Sequence, residues 1–109
     1  MNLIALAMFA APVNASPSMP GVSPEQRDAQ CLIALNAEKR LGPLQKVASA
    51  YFGIRVSRIS DPELREFITI SAEEAILPNS NRREIASTCL LLYQVLVMQE
   101  QRQSKSDAE

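Results

Sequence analysis

The sequence predicts an all-α protein, a small bundle of four helices that carries one disulfide bond. Three observations support this fold class. Apolar residues recur at intervals of three and four, proline and glycine divide the pattern into four segments, and the two cysteines lie in the first and last of these. The chain has 109 residues, of which 47% are hydrophobic and 21% charged, which is typical of one globular domain.

The first helix is predicted over about 24–41. Ser23 can cap its N-terminus, Pro24 suits the first helical position, and Gln26 completes a capping box with Ser23. Gly42, which is followed by a proline, should stop the helix. The apolar face comprises Ala29, Cys31, Leu32, Ile33, Ala34, Leu35 and Ala37.

The second helix is predicted over about 44–52, and Gly53 is expected to end it. Its apolar residues follow the spacing of an amphipathic helix. The segment 54–59 then alternates apolar and polar residues, but a single strand without a partner is unstable. We therefore expect an extended connection that turns Ile54, Val56 and Ile59 inward. The apolar face of the helix comprises Leu44, Val47, Ala48, Tyr51 and Phe52.

The third helix is predicted over about 62–77 and ends before Pro78. Either Ser60 or Asp61 could cap it, and the proline at position 62 favours Asp61. Its predicted buried face comprises Leu64, Phe67, Ile68, Ala72, Ala75 and Ile76.

The fourth helix is predicted over about 82–102, after Asn81 and with Glu84 at its third position. Residues 89–98 are apolar nearly all round, interrupted only by Gln94. A helix of this kind is usually covered by others on all sides, so we expect it at the centre of the bundle.

The N-terminal segment has the features of a secretory signal peptide. An apolar run over 3–11 is followed by small residues at Val13 and Ala15, the pattern that a signal peptidase cleaves. Because the run has no lysine or arginine before it, two alternatives stay open: the true start could lie upstream, or the segment could be an uncleaved apolar arm. The predicted division of the chain is signal peptide 1–15, flexible mature N-terminus 16–22, helical domain 23–102 and disordered tail 103–109.

The cysteines Cys31 and Cys89 lie on the first and last predicted helices. Their separation excludes a CxxC redox motif, and two sulfurs without histidine make a poor zinc site. In an oxidising compartment they should form a structural disulfide, so the predicted location is the periplasm or the exterior of the cell. The alternative is a cytosolic protein with two unrelated thiols.

No catalytic signature is recognisable in the sequence. Histidine is absent, no serine and lysine form a Ser-x-x-Lys motif, and the three glycines are not clustered into a phosphate loop. We therefore predict a non-enzymatic protein without cofactor or metal. The net charge of −1 argues against a dedicated nucleic-acid binder. The N-terminal apolar run is shorter than the roughly 20 residues that span a bilayer, which predicts no stable membrane anchor.

Arg55 and Arg58 are the candidate residues for binding an anionic partner. They belong to the stretch 39–59, which contains several cations and no acid. The alternative is a set of solvated side chains near helix C-termini. The acidic residues of the third helix could form a carboxylate pair or a cation site, although a solvated helix face explains them better. These acidic residues are Glu63, Glu66, Glu73 and Glu74. The aromatic residues Tyr51, Phe52, Phe67 and Tyr93 have core spacing and are expected to pack rather than to form a ligand cage.

The leader, the short helical chain and the two distant cysteines, Cys31 and Cys89, resemble the architecture of periplasmic acid-stress chaperones of the HdeA type. This chain has a more apolar last helix and fewer lysines. The resemblance implies a protein that loosens in acid and exposes apolar surface to unfolded clients. Our first expectation is an exported protein that binds an unknown protein partner in the cell envelope, through an apolar face or the Arg55/Arg58 region. The acid-responsive chaperone is the alternative.

Overall fold

The computed structural model describes residues 22–108, which form four α-helices and no strand. The predicted all-α class is therefore confirmed. The predicted signal peptide and most of the predicted mature N-terminus lie outside the described residues. The helices are α1 (Pro24–Ala37), α2 (Leu44–Ser57), α3 (Pro62–Ile76) and α4 (Arg82–Ala108).

Two helix N-termini are capped as the sequence predicts. The Ser23 hydroxyl accepts a hydrogen bond from the Gln26 backbone N–H at 3.2 Å, and the Gln26 side chain accepts one from the Ser23 N–H at 3.3 Å. The Asp61 carboxylate accepts from the N–H groups of Glu63 and Leu64 at 3.0 and 3.4 Å. These acceptors satisfy donors that the first turn of a helix leaves without a partner.

Helix α1 ends at Ala37, earlier than the predicted end near 41. The following loop contains two residues with positive φ, Arg40 at 62° and Gly42 at 105°. The side-chain amide of Gln45 donates to the carbonyls of Leu35 and Glu38 at 2.8 and 2.7 Å. It therefore satisfies carbonyl groups that the last turn of α1 would otherwise expose. Gly42 therefore does not end the helix; its positive φ serves the loop that follows.

Helix α2 continues to Ser57, so the predicted extended connection over 54–59 is wrong for most of its length. Val56 follows Ala48 and Phe52 at four-residue spacing and is buried with them, which continues the helical face. Ile54 is 52% exposed and does not turn inward. Gly53 lies in the helix interior, where packing outweighs its low helix propensity.

The central helix is α1, and the prediction that α4 is central is wrong. Helix α1 contacts each of the other three helices, whereas the main contacts of α4 are with α1 and α2. The small buried residues Ala29, Cys31 and Ala34 allow neighbouring helices to approach α1 closely. Helix α4 is covered on one side, and it continues to Ala108 beyond its predicted end, so residues 103–108 of the predicted tail are helical.

Two groups of buried side chains hold the helices together. The first, which we call the disulfide core, joins α1, α2 and α4 and includes Ile76 at the end of α3. The second, which we call the α3 core, joins α1 and α2 to the middle of α3. The disulfide core comprises Cys31, Ala34, Leu35, Ala48, Phe52, Ile76, Ala86, Cys89 and Leu92, and the α3 core comprises Ala29, Val56, Ile68 and Ala72.

The buried face of α3 is narrower than predicted. Ile68, Ala72 and Ile76 are buried, as expected, but Leu64 is 45% exposed and Phe67 is 62% exposed. The predicted burial of these two residues, and of the exposed Ala75, is wrong. Because α3 makes its main contacts with α1 alone, no second helix covers its outer side.

Candidate interaction sites

The predicted disulfide between Cys31 and Cys89 is present. The two sulfur atoms are 2.12 Å apart, the Cα atoms are 5.5 Å apart, and both residues are completely buried. The bond joins α1 to α4 across 58 positions of sequence and leaves no free cysteine. Its role is structural, because neither sulfur is accessible to a reactant in solution.

Arg55, one of the two predicted anion-binding residues, is part of a group of four charged residues and one tyrosine that we call the charge network. Its Nε donates to Asp28 Oδ2 at 2.9 Å, and its Nη1 lies 3.2 Å from Glu100 Oε2. A second arginine, Arg27, contacts Asp28 Oδ1 at 3.2 Å. The charge network comprises Arg27, Asp28, Tyr51, Arg55 and Glu100, and it links α1, α2 and α4.

Two charged members of the network are buried. Arg27 and Asp28 are only 8% and 5% exposed, although they are adjacent in sequence near the start of α1. Asp28 lies between two guanidinium groups, and Arg27 Nε has no hydrogen-bond acceptor among the described residues. Burial lowers the pKa of Arg55, but its hydrogen bond to Asp28 and the charge of Asp28 outweigh this effect and raise it. The positive charge of Arg55 therefore depends on Asp28 for compensation.

Tyr51 connects the charge network to the aromatic part of the disulfide core. Its ring meets the rings of Phe52 and Tyr93 edge to face, with centroids 5.3 and 5.2 Å away. Its hydroxyl donates to Glu100 Oε2 at 2.6 Å. Burial, followed by this hydrogen bond, raises the pKa of Tyr51 to about 12. Tyr51 is thus a neutral donor at physiological pH, and the prediction that it packs is confirmed together with those for Phe52 and Tyr93.

Arg58, the second predicted anion-binding residue, is exposed at the C-terminal end of α2. It lines an open groove of about 470 Å³ together with Arg55, and the same groove is lined by three acidic residues. Among the described residues, Arg58 forms no ion pair within 4.0 Å. The structure thus places both arginines in one groove of mixed charge, and anion binding there stays a prediction. The acidic residues are Glu25, Asp28 and Asp61.

The outer side of α3 carries an exposed apolar surface, which we call the α3 surface. Its centre is Phe67, the most exposed large hydrophobic residue described, at 62%. Beside it, an open groove of about 790 Å³ between α2 and α3 is lined by Val56, Ile70, Glu66 and Glu73. The α3 surface comprises Leu64, Phe67, Ile70 and Leu77, which are 45%, 62%, 46% and 45% exposed.

Acidic residues surround the α3 surface. Glu63, Glu66, Glu73 and Glu74 are all exposed, so the expected solvated acidic face is present. Glu66 and Glu73 line the same groove, as their spacing of seven residues predicts. No cluster of three or more acidic or cysteine ligands that could hold a metal ion occurs within residues 22–108.

At the opposite end of α1, two arginines of α4 bind the loop that follows α1. Arg82 Nε lies 3.1 Å from Glu38 Oε2, and Arg83 donates to the carbonyls of Lys39 and Arg40 at 2.8 and 3.2 Å. These contacts fix the chain between α1 and α2 to the start of α4. They support the fold next to the disulfide and occupy the backbone acceptors of the basic loop.

Sequence reasoning missed the buried charges of the network. The signal was available for Asp28, which lies three, four and seven positions before Cys31, Leu32 and Leu35 and therefore on the same face of α1. A carboxylate on a buried face implies a cationic partner. Identifying that partner as Arg55, and the further contact with Glu100, requires the tertiary structure.

Comparison with protein-family models, with characterised proteins and with solved structures finds no match to this chain. Among residues 22–108, no helix combines the length and the hydrophobicity needed to cross a bilayer.

Proposed function

We propose that this chain is a small exported, non-enzymatic helical protein that acts in the cell envelope by binding another protein. The observation that carries the proposal is the α3 surface. Leu64, Phe67 and Ile70 follow one another at three-residue spacing and are therefore neighbours on the helix surface. Exposed apolar patches often mark sites of protein interaction. Phe67 at 62% exposure is the natural anchor, because aromatic residues contribute strongly to binding energy when a partner covers them.

The acidic surroundings of the α3 surface define the chemistry of the partner. Glu63 and Glu74 are exposed on the outer side of α3, and Glu66 lines the adjacent groove. A complementary segment would present apolar residues to Phe67 and Ile70 and basic residues to these carboxylates. An amphipathic helix with lysine or arginine at the edges of its apolar face fits this description.

Export is supported by the disulfide together with the predicted leader. A fully buried bond that joins α1 to α4 is typical of proteins that fold in an oxidising compartment. The leader predicted over 1–15 would supply the route. Intact mass of the protein from its native cells, with and without reductant, tests both features. The expected mass lacks residues 1–15 and rises by two hydrogens after reduction, whereas an uncut chain with two free thiols would contradict export.

Site-specific photocrosslinking tests the binding surface. A photoreactive phenylalanine analogue at position 67 should give one discrete adduct in cells, because that side chain would contact the partner. The matched control places the analogue at Ile54 of α2, which is comparably exposed at 52%. In a further pair of variants the analogue is placed at Ile70, and Phe67 is either retained or replaced by serine. Phe67→Ser should reduce the adduct formed from position 70 at least tenfold. Equal adducts from positions 67 and 54 would contradict a specific α3 surface.

The acid-responsive chaperone is a second candidate, and the charge network supports it. Asp28 is the common counter-ion of Arg27 and Arg55, so one carboxylate holds two guanidinium groups at the joint between α1 and α2. In strong acid the chain as a whole would become strongly positive, and repulsion among its cations would loosen that joint. Apolar residues of the disulfide core would become available to unfolded clients.

Acid titration separates the two candidates. The chaperone should lose near-ultraviolet circular dichroism at pH 2.5, retain helical far-ultraviolet signal, and suppress aggregation of a client protein only in acid. A chain that stays compact at pH 2.5 and does not suppress aggregation would exclude the chaperone function. Binding through Phe67 at neutral pH would be unaffected by that result.

A further inference from the structure

Helix α4 carries a second exposed apolar surface on the side that faces away from the bundle. Leu91 and Met98 are 59% and 52% exposed, and Val95 between them is half-buried. Met98 follows Cys89 by nine residues, which places it half a turn away from the buried disulfide at 3.6 residues per turn. We call this stripe the α4 surface; it is separate from the α3 surface.

The spacing of the α4 surface is that of a two-helix seam. Thr88, Leu91, Val95 and Met98 follow one another at intervals of three, four and three, the alternation that repeats along a coiled coil. Glu84 continues the pattern four residues before Thr88, and Arg102 continues it four residues after Met98. Both end residues are exposed. The seam therefore has an apolar centre, an acidic end and a basic end.

We propose that the α4 surface pairs with the α4 surface of a second copy of this chain in antiparallel orientation. When the two helices run in opposite directions, Leu91 faces Val95 of the second copy, Thr88 faces Met98, and Glu84 faces Arg102. Each contact occurs twice, as two-fold symmetry requires. A parallel pair would instead place Glu84 against Glu84 and Arg102 against Arg102, which is repulsive at both ends.

The charges select the orientation, and the apolar centre supplies the attraction. An exposed ion pair changes an equilibrium constant by only a few-fold, whereas covering Leu91, Val95 and Met98 removes apolar area from water on both copies. The seam from Glu84 to Arg102 is about 27 Å long at 1.5 Å per residue. We therefore expect a dimer that weakens as salt rises but does not dissociate completely.

The test is analytical ultracentrifugation of the oxidised full-length chain across a concentration series. The wild type should dimerise, and Leu91→Asp should weaken the dimer at least 100-fold. Phe67→Asp places the same charge at a comparably exposed position on α3 and should leave the dimer unchanged. Because Phe67→Asp alters the α3 surface and not the α4 surface, this control also shows that self-association and the proposed partner binding use different surfaces. A chain that stays monomeric at about 1 mM, or a dimer indifferent to Leu91→Asp, would overturn the proposal.

Charge reversal tests the orientation. Glu84→Arg and Arg102→Glu should each weaken the dimer of that variant about tenfold, because like charges would then meet at both ends. An equimolar mixture of the two variants should recover wild-type affinity, since both end contacts become attractive in the mixed dimer. Variant homodimers as tight as the wild type, together with a mixed dimer tighter than the wild type, would show parallel pairing, in which the wild type already has like charges at both ends, and would overturn the antiparallel arrangement.

Discussion

The disulfide core and the α3 core hold their helices by different means. The disulfide core combines the Cys31–Cys89 bond with large side chains such as Phe52 and Leu92, which are at most 1% exposed. The α3 core contains four buried residues, two of which are alanines. Helix α3 is thus attached through a narrow face and leaves Phe67 in solvent. Stability is therefore concentrated in the disulfide core, whereas the outer side of α3 is open for contact with a partner.

The largest effect should come from removing the disulfide. Replacing Cys31 and Cys89 together by alanine should lower the free energy of unfolding by about 4 kcal/mol, because a loop of 58 residues is no longer closed in the unfolded chain. Urea denaturation of the variant and the wild type measures the difference. Reduced wild-type protein is the control and should match the variant. A loss below about 1 kcal/mol would show that the apolar contacts alone hold this core.

Two neighbouring residues of α3 test how narrow its attachment is. Ile68→Ala should cost about 3 kcal/mol, because Ile68 is the largest buried side chain that α3 contributes to the α3 core. Phe67→Ala should cost less than about 0.5 kcal/mol, since its ring is mostly in solvent. Thermal unfolding of both variants provides the comparison. Similar costs at the two positions would contradict the structural division of α3 into a buried and a free face.

The charge network reinforces the joint between α1 and α2, and Asp28→Asn should reveal its strength. At pH 7 the substitution should cost about 2 kcal/mol, because it leaves Arg27 and Arg55 without their common counter-ion. Glu100→Gln is the matched control and should cost less than about 0.5 kcal/mol, because that side chain is 55% exposed.

Urea denaturation at pH 7 measures the cost of both substitutions. Equal costs at Asp28 and Glu100 would contradict burial of the Asp28 charge as the reason for the larger effect.

The smallest effect should come from Gly53, and it should be a gain. Gly53→Ala should stabilise α2 by about 0.7 kcal/mol, since alanine is the better helix former and its Cβ would lie 3.6 Å from Leu32 Cδ1, an ordinary contact. Gly42→Ala is the control and should destabilise by about 1 kcal/mol, because φ at Gly42 is +105°. Chemical denaturation resolves the opposite signs, and a loss of stability at Gly53 would contradict its place in a regular helix.

Local signals in the sequence located the helix starts and the disulfide. Ser23, Gln26 and Asp61 act within three residues of their backbone partners, so their roles do not depend on the rest of the fold. The pairing of Cys31 with Cys89 followed from there being two cysteines on two apolar helix faces. The prediction that Gly53 ends α2 was wrong, because an isolated glycine resembles a helix stop when its packing is unknown.

The candidate sites were harder to predict than the helices. Arg55 was identified as a candidate from its charge, but its contacts with Asp28 and Glu100 join residues 27 and 45 positions away. Phe67 was expected in the core because aromatic residues at helical spacing usually pack there. Its exposure follows from the position of α3 at the edge of the bundle. The spacing of apolar residues within α3 does not indicate that position.

The sequence by itself determined the helical class, the capped helix starts and the two residues that form the disulfide, because these depend on local backbone chemistry or on a single possible pairing. Only the tertiary structure decided that α1 is central, that Asp28 is buried against Arg55, and that Phe67 and Leu91 face solvent. Hydrophobicity shows that a side chain can be buried, whereas burial itself depends on which helices are adjacent and how many faces they cover.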